Sequence, residues 1–74
     1  MAITAAALQT ALGEGNPLQP RVLRAFGTYG TQQHWYVQGG QAYANRTKFV
    51  VTTAADDATT QAAAVVTALQ AGPV

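Results

Sequence analysis

Hydrophobic residues recur at helical spacing near the beginning of the chain. Leu8 and Leu12 lie four residues apart and form a narrow apolar stripe. Thr4 precedes this stripe in the position of an N-cap, and Gly13 follows it where a left-handed C-cap belongs. The pattern predicts a first helix between Thr4 and Gly13.

A second helical pattern lies near the end of the chain. Its apolar positions recur at spacings of four, three and four: Ala58, Ala62, Val65 and Leu69. Thr53 and Asp56 have the spacing of a capping box, with an acidic side chain in place of the more usual Glu. Asp56 and Asp57 would then lie in the first turn, where they complement the helix dipole. We expect this helix to begin after Thr53 and to end at Gly72.

Between the two helices the helical period disappears, and three runs are typical of strands. The runs are RVLRAFGTY (21–29), QQHWYVQ (32–38) and RTKFVVTT (46–53). Two residue pairs that suit tight hairpin turns separate them, Gly30 with Thr31 and Gly39 with Gly40.

Residues 41–45 are expected to extend the third strand backward, with a bulge or a wide turn at Asn45. The sequence therefore predicts a single small α+β domain over residues 1–74. Its order is helix, three-stranded antiparallel meander, helix (αβββα).

Side chains alternate across a strand, so each run presents two faces. We expect the helices to cover the face that carries Leu23, Trp35, Val37, Phe49 and Val51. This choice buries the single Trp and leaves Lys48 and Arg24 in water, where their charges need no partner. The helices are expected to close this core with Leu8, Leu12, Val65 and Leu69. In the alternative arrangement one helix covers each face, and little of either face is exposed.

The opposite face is the candidate interface. It would carry Val22, Arg24, Phe26, His34, Tyr36, Lys48 and Val50, with Tyr43 in a flanking loop. Tyr, Phe and Arg are enriched at the cores of protein interfaces. Monomers seldom leave such a patch to water. We therefore expect these residues to contact protein.

Composition supports this expectation. A chain of 74 residues buries only about 60% of the surface that it exposes when unfolded, so its core is small. Domains of this size usually gain stability from a disulfide, a metal or a partner. The chain has no Cys and one His, which favours the partner. Charged residues make up 9% of the chain and the net charge is +1, so self-association is weakly opposed.

The groups that catalysis requires are scarce. The chain has no Ser and no Cys, and His34 has no second His to share a metal with. Its carboxylates are Glu14, Asp56 and Asp57, and the last two are assigned to a helix start. We therefore expect no catalytic residue, no metal, no cofactor and no small-molecule substrate, and we predict that the protein is not an enzyme.

Two further partner classes receive little support from the sequence. Four basic residues cannot produce the broad positive field of typical nucleic-acid binders. Single-strand binding by stacking on Phe26 and Tyr36, with Arg24 and Lys48 nearby, is kept as an alternative. No apolar run approaches the roughly 20 residues that cross a bilayer, so no membrane partner is expected. The N-terminus lacks the basic region of a signal peptide, which predicts assembly in the cytoplasm.

The chain combines a Met-Ala start, no Ser or Cys, few charges and abundant Ala, Thr, Gln and Gly. In this compositional style it resembles the small accessory proteins of tailed-phage virions, such as capsid cement or decoration proteins. The resemblance implies a structural protein of the virion, present in many copies and bound by apolar contacts to itself or to the major capsid protein. The alternative is a small regulatory module that binds one partner protein in a one-to-one complex.

Overall fold

The computed structural model describes residues 2–13 and 19–71. Its elements in chain order are α1 (Ala5–Leu12), β1 (Arg21–Tyr29), β2 (Gln32–Gln38), a 3-10 turn (Gln41–Tyr43), β3 (Thr47–Thr53) and α2 (Ala58–Gln70). The strands form one antiparallel sheet in the order β1-β2-β3. The predicted αβββα order is confirmed. The helix stop expected at Gly72 and the side chain of Glu14 lie outside the described residues.

Both helices lie on one face of the sheet. α1 packs against β1, α2 packs against β3, and the two helices contact each other. The core between the two layers contains Leu8, Leu12, Trp35, Val37, Val50, Ala62, Val65 and Leu69. The predicted burial of Trp35 and Val37 and of the four Leu and Val residues of the helices is confirmed. Among the described residues, neither helix covers the opposite face of the sheet, which excludes the arrangement with one helix on each face.

The caps of α1 lie at the predicted residues, although Gly13, with a ψ of 122°, lies outside the left-handed helical region. The N-cap of α2 does not lie where it was predicted. The Thr4 hydroxyl accepts a hydrogen bond from the Ala7 N–H at 3.1 Å, and Gly13 has a φ of +100° after the last turn of α1. Thr53, in contrast, is the last residue of β3, so the capping box predicted there is wrong. The N-cap of α2 is Asp57, whose carboxylate accepts from the Thr60 N–H at 2.8 Å.

The second helix begins later than predicted because the chain must first turn from the sheet layer into the helix layer. The Asp56 N–H donates to the Thr53 carbonyl at 3.0 Å, which closes a turn between β3 and α2. Asp56 therefore precedes the helix, and its own carbonyl accepts from the Gln61 side-chain amide at 2.9 Å. The hydrogen bond from Thr60 stabilises the charged form of Asp57 and lowers the pKa of that carboxyl group.

The face of β3 is the main correction to the sequence analysis. Phe49 is 68% exposed and Val51 is 47% exposed, whereas Val50 is 3% exposed, so the predicted burial of Phe49 and Val51 is wrong. Trp35 pairs with Val50 across the ladder, and paired residues share a face of the sheet. Leu23, on β1, was also predicted in the core and is 47% exposed.

Lys48 shares the helix side with Val50, although its charge was expected to keep it outside. Its Nζ donates to the Ala68 carbonyl at 2.9 Å, near the C-terminus of α2. A cation is favoured at this end of a helix because the last carbonyl groups lack intrahelical donors. The desolvation cost that was expected to exclude Lys48 is therefore offset by a specific acceptor.

Two bulges interrupt the alternation of β1. Leu23 and Phe26 have no pairing partner in β2, so each inserts one extra residue into the strand. Gly27, after the second bulge, has a φ of +103°, which glycine adopts without steric cost. Because of the first bulge, Val22 and Arg24 lie on opposite faces, and Val22 packs against the core.

The connection from β2 to β3 is longer than the predicted tight turn at Gly39 and Gly40, and residues 41–45 do not extend the strand. Positive φ values occur at Ala44 and Asn45, at 57° and 56°. Gly39 is needed for a close approach instead, since a Cβ there would lie 2.6 Å from the Cβ of Tyr43. Tyr43 packs against the core from this connection.

A buried chain of hydrogen bonds joins the sheet to α2. The Trp35 indole N–H donates to the Thr52 hydroxyl at 2.8 Å, and that hydroxyl donates to Gln61 Oε1 at 2.5 Å. Thr52 is 4% exposed and Gln61 is fully buried. Each polar group in this chain is paired, which removes the cost of leaving it unpaired in the interior.

Two more glutamine side chains bind backbone groups. Gln33 accepts from the Ile3 N–H at 3.2 Å and donates to the Ile3 carbonyl at 2.8 Å. Gln9 accepts from the Val22 N–H at 2.7 Å and donates to the Pro20 carbonyl at 3.0 Å. These contacts fasten the N-terminal segment to β2 and α1 to the start of β1.

No helix in the described part of the chain is long and apolar enough to span a bilayer.

We predict that the neighbouring substitutions Val50→Ala and Val51→Ala have different effects on stability. Val50→Ala removes buried methyl groups and should lower the free energy of unfolding by about 1.5 to 3 kcal/mol. Val51→Ala alters an exposed strand position and should cost less than about 1 kcal/mol. Urea unfolding monitored by Trp35 fluorescence measures both. Equal losses, or a larger loss for Val51→Ala, would contradict the observed face of β3.

We also predict that Thr52→Val is destabilising, because it leaves the Trp35 N–H and Gln61 Oε1 without their partner. The expected loss in the free energy of unfolding is about 1 to 3 kcal/mol. The same substitution at exposed Thr53 is the matched control and should stay within about 0.5 kcal/mol of the unmodified chain. A Thr52→Val protein as stable as its control would show that the buried chain of hydrogen bonds contributes nothing.

Candidate protein interface on the open sheet face

The sheet face opposite the helices carries a cluster of rings. We call it the aromatic face and define it by Arg24, Phe26, Tyr29, His34, Tyr36 and Phe49. All three strands contribute to it, because even-numbered residues of β2 and odd-numbered residues of β3 point away from the helices. In β1 the bulges bring Arg24 and Phe26 to this same face.

Phe49 lies at the centre of the contacts on this face. Its ring centroid is 4.7 Å from that of Tyr36 and 5.5 Å from that of Phe26, and both pairs are tilted. The guanidinium carbon of Arg24 lies 5.2 Å from the centroid of the Phe26 ring, a cation–π distance. Side chains held in this way lose little conformational freedom when a partner binds.

A second pair of rings extends the cluster towards the β1–β2 turn. Tyr29 and His34 meet edge to face with their centroids 4.9 Å apart. The Tyr29 hydroxyl also donates to the Phe26 carbonyl at 3.0 Å, at the second bulge of β1. His34 therefore packs as a ring within the cluster.

The structure divides the predicted interface residues between the two sides of the sheet. Arg24, Phe26, His34 and Tyr36 are brought together on the aromatic face. The other four are placed on the helix side: Val22, Tyr43, Lys48 and Val50. The assignment of Val22, Lys48 and Val50 to the exposed face is wrong, because of the bulge in β1 for Val22 and because of the β2–β3 pairing for Lys48 and Val50. Tyr43 packs on the core from the connection.

Phe49, Val51 and Tyr29 also lie on the open face, where the sequence pattern did not predict them. The available signal for the first two was the pairing with β2. Trp35 was correctly assigned to the core, and a residue that pairs with it must lie on the same side. Any register that pairs odd residues of β2 with even residues of β3 turns Phe49 and Val51 outward.

The four basic side chains are divided equally between the two sides of the sheet. Arg46 donates to the Leu69 carbonyl at 3.4 Å and Lys48 donates to the Ala68 carbonyl, both near the end of α2. Arg24 is the one basic residue within the aromatic face. Arg21 pairs with Gln38 and therefore lies on the same side of the sheet, at the other end of β1. A groove that follows a phosphate backbone needs a row of cations, and the described residues of this side of the sheet present two.

The described residues contain no group of three His, Cys, Asp or Glu side chains that could hold a metal ion. A shallow cleft of about 190 Å³ lies beside the connection from β2 to β3. Ligand pockets usually enclose about 300 to 1,000 Å³ and are mostly apolar. This cleft is smaller, and its lining residues other than Gly40 have polar side chains: Gln19, Arg21, Gln38, Gln41 and Asn45.

No protein family, curated protein or solved structure matches this chain. The fold and the exposed rings therefore define its class in physical terms. Over residues 2–13 and 19–71 it is a two-layer α+β protein, with helices on one face of its sheet and the aromatic face uncovered on the other.

Proposed function

We propose that this chain is a non-enzymatic adhesive protein whose aromatic face binds protein surfaces. The observation that supports this proposal is the cluster of Phe26, Tyr36 and Phe49, which lies in mutual contact on a sheet face that neither helix covers. Aromatic and Arg side chains dominate the binding energy of protein interfaces. Apolar contact supplies the affinity, and long-range charge plays a small part because the net charge is +1.

The size of the aromatic face favours action in many copies. Three strands of about seven residues form a surface of roughly 14 by 23 Å, or about 300 Å². A stable protein complex buries about 800 Å² on each partner. One copy of this face therefore binds weakly, and repeated copies on a shared surface gain affinity by multivalency.

The small contact area of each copy supports a role as a capsid cement or decoration protein of a bacteriophage virion. Its partners would be neighbouring copies and the major capsid protein. The compositional resemblance to small virion proteins suggests that the protein belongs to a virion. The small contact area of each copy is the physical reason to expect many copies. A regulatory module that binds one partner in a one-to-one complex would need a larger contact than this face provides.

The proposal predicts that the purified chain associates with itself as its concentration rises. Tyr36→Glu places a charge in the middle of the aromatic face on the central strand. It should weaken assembly beyond small oligomers by about tenfold or more, because an unpaired charge would be buried at the contact. Thr67→Glu adds the same charge on the exposed surface of α2 and is the matched control. Sedimentation velocity over a concentration series measures the association.

Salt dependence separates adhesion from nucleic-acid binding. Apolar association should change little between about 50 and 200 mM salt, whereas binding that neutralises phosphates falls steeply over this range. Equal assembly of the Tyr36→Glu and Thr67→Glu proteins would contradict the adhesive proposal. Tight binding of a labelled oligothymidine that is lost in higher salt would replace it with the single-strand alternative.

A further inference from the structure

We infer that the outer edge of β3 pairs with the β3 strand of a second copy, in antiparallel orientation, to form a continuous six-stranded sheet. This inference rests on the proposed adhesive function and names one partner and one contact for it. Three observations support it. Backbone N–H and carbonyl groups of β3 point away from the sheet, the outer edge of β1 is protected, and the sequence of β3 suits pairing with itself.

The hydrogen bonds at the two ends of the β2–β3 ladder determine these directions. The Ala54 N–H donates to the Thr31 carbonyl at 2.9 Å, and the Gly39 N–H donates to the Arg46 carbonyl at 2.7 Å. In an antiparallel ladder, hydrogen-bonded pairs alternate with pairs that are not hydrogen-bonded. Because Ala54 and Arg46 are both hydrogen-bonded to β2, every second residue between them is hydrogen-bonded to β2 as well. These residues are Lys48, Val50 and Thr52.

The remaining residues of β3 direct their backbone groups away from the sheet. These residues are Thr47, Phe49, Val51 and Thr53, and all four are exposed. The Thr53 carbonyl accepts the Asp56 N–H in the following turn. In the part of the chain that the structure describes, the N–H and carbonyl groups of Thr47, Phe49 and Val51 meet no partner. They form a row of donors and acceptors at the usual spacing for an added strand.

The outer edge of β1 is protected against the addition of a strand, whereas the outer edge of β3 is not. Along β1, the outward Val22 N–H is already bonded to the Gln9 side chain at 2.7 Å. Two bulges, at Leu23 and Phe26, further break the regular spacing that a new strand would need. Proteins commonly protect their edges with such features, and β3 has neither. It pairs with β2 at seven consecutive positions without a bulge.

The sequence of β3 is nearly symmetric about Val50, which favours a second copy as the partner. In an antiparallel pair centred on Val50, Thr47 lies opposite Thr53 of the second copy. Phe49 then lies opposite Val51 of the second copy. Pairs of two Thr residues and of an aromatic with a β-branched residue are favourable across strands. A two-fold axis repeats each contact, as in most soluble homodimers.

Charge and side-chain size permit the same arrangement. The one charged residue of β3 is Lys48, whose Nζ binds the Ala68 carbonyl on the helix side, so like charges do not face each other. In the pairs across the two copies, the large Phe49 lies opposite the smaller Val51, so two aromatic rings do not oppose each other. The dimer would also join two aromatic faces into one surface of twice the width.

The test uses the Tyr36→Glu protein, in which the aromatic face is blocked. We expect it to stop at a dimer in sedimentation equilibrium. Adding Val51→Pro removes an outward N–H from each copy without breaking a bond to β2. The two lost hydrogen bonds should raise the dimer Kd by about thirtyfold or more. Adding Val51→Ala instead keeps the N–H and is the matched control, with a Kd within about threefold of the parent.

Amide hydrogen exchange of the unmodified chain gives a second measurement that needs no variant. The Phe49 and Val51 amides should exchange rapidly in dilute protein and gain protection as the concentration rises, while the Val50 amide stays protected throughout. Rapid exchange of Phe49 and Val51 at all concentrations would overturn the inference, as would a monomeric Tyr36→Glu protein. Either result leaves the adhesive role of the aromatic face intact, whereas full assembly of Tyr36→Glu would overturn that role alone.

Discussion

The indole N–H of Trp35 is buried and requires an acceptor, and the way this requirement is met determines the rest of the structure. Thr52 accepts from the indole and donates to Gln61 of α2, so Thr52 must face the helices. Alternation along β3 then turns Val50 and Lys48 inward and Phe49 and Val51 outward. The aromatic face is thus a direct consequence of burying Trp35 with its polar group paired.

The hydrophobic pattern was sufficient to predict the elements and the helix contribution to the core. Leu8 and Leu12 in α1 and Val65 and Leu69 in α2 are buried as expected, and the three strands lie where the runs indicated. The face of β3 was missed because the comparison of Phe49 with Lys48 considered only hydrophobicity and charge. Lys48 lies inward because the end of α2 supplies a carbonyl acceptor, and that contact arises only from the tertiary fold.

The bulges of β1 show a second limit of sequence reasoning. The extra residue at Leu23 reverses the alternation up to the second bulge at Phe26, so Val22 packs on the core while Arg24 joins the aromatic face. The residue types at these positions do not predict a bulge, except for Gly27, which has a positive φ. The predicted exposed face was therefore correct for β2, where the alternation is regular, mixed for β1 and wrong for β3.

One face and one edge of this small sheet are covered, and the other face and edge are exposed. This difference indicates which surfaces of the protein make contacts. Helices cover one face and Gln9 protects one edge, while the rings of Phe26, Tyr36 and Phe49 and the outward amides of β3 remain accessible. A chain with so few charges can use these features for contact at short range and in many copies. The most direct test is to compare the exposure of side-chain protons to a soluble paramagnetic agent in dilute and in concentrated protein. The account predicts that Phe26 and Tyr36 become shielded on concentration while Ala63 and Thr67 on α2 do not, and shielding confined to α2 would contradict it.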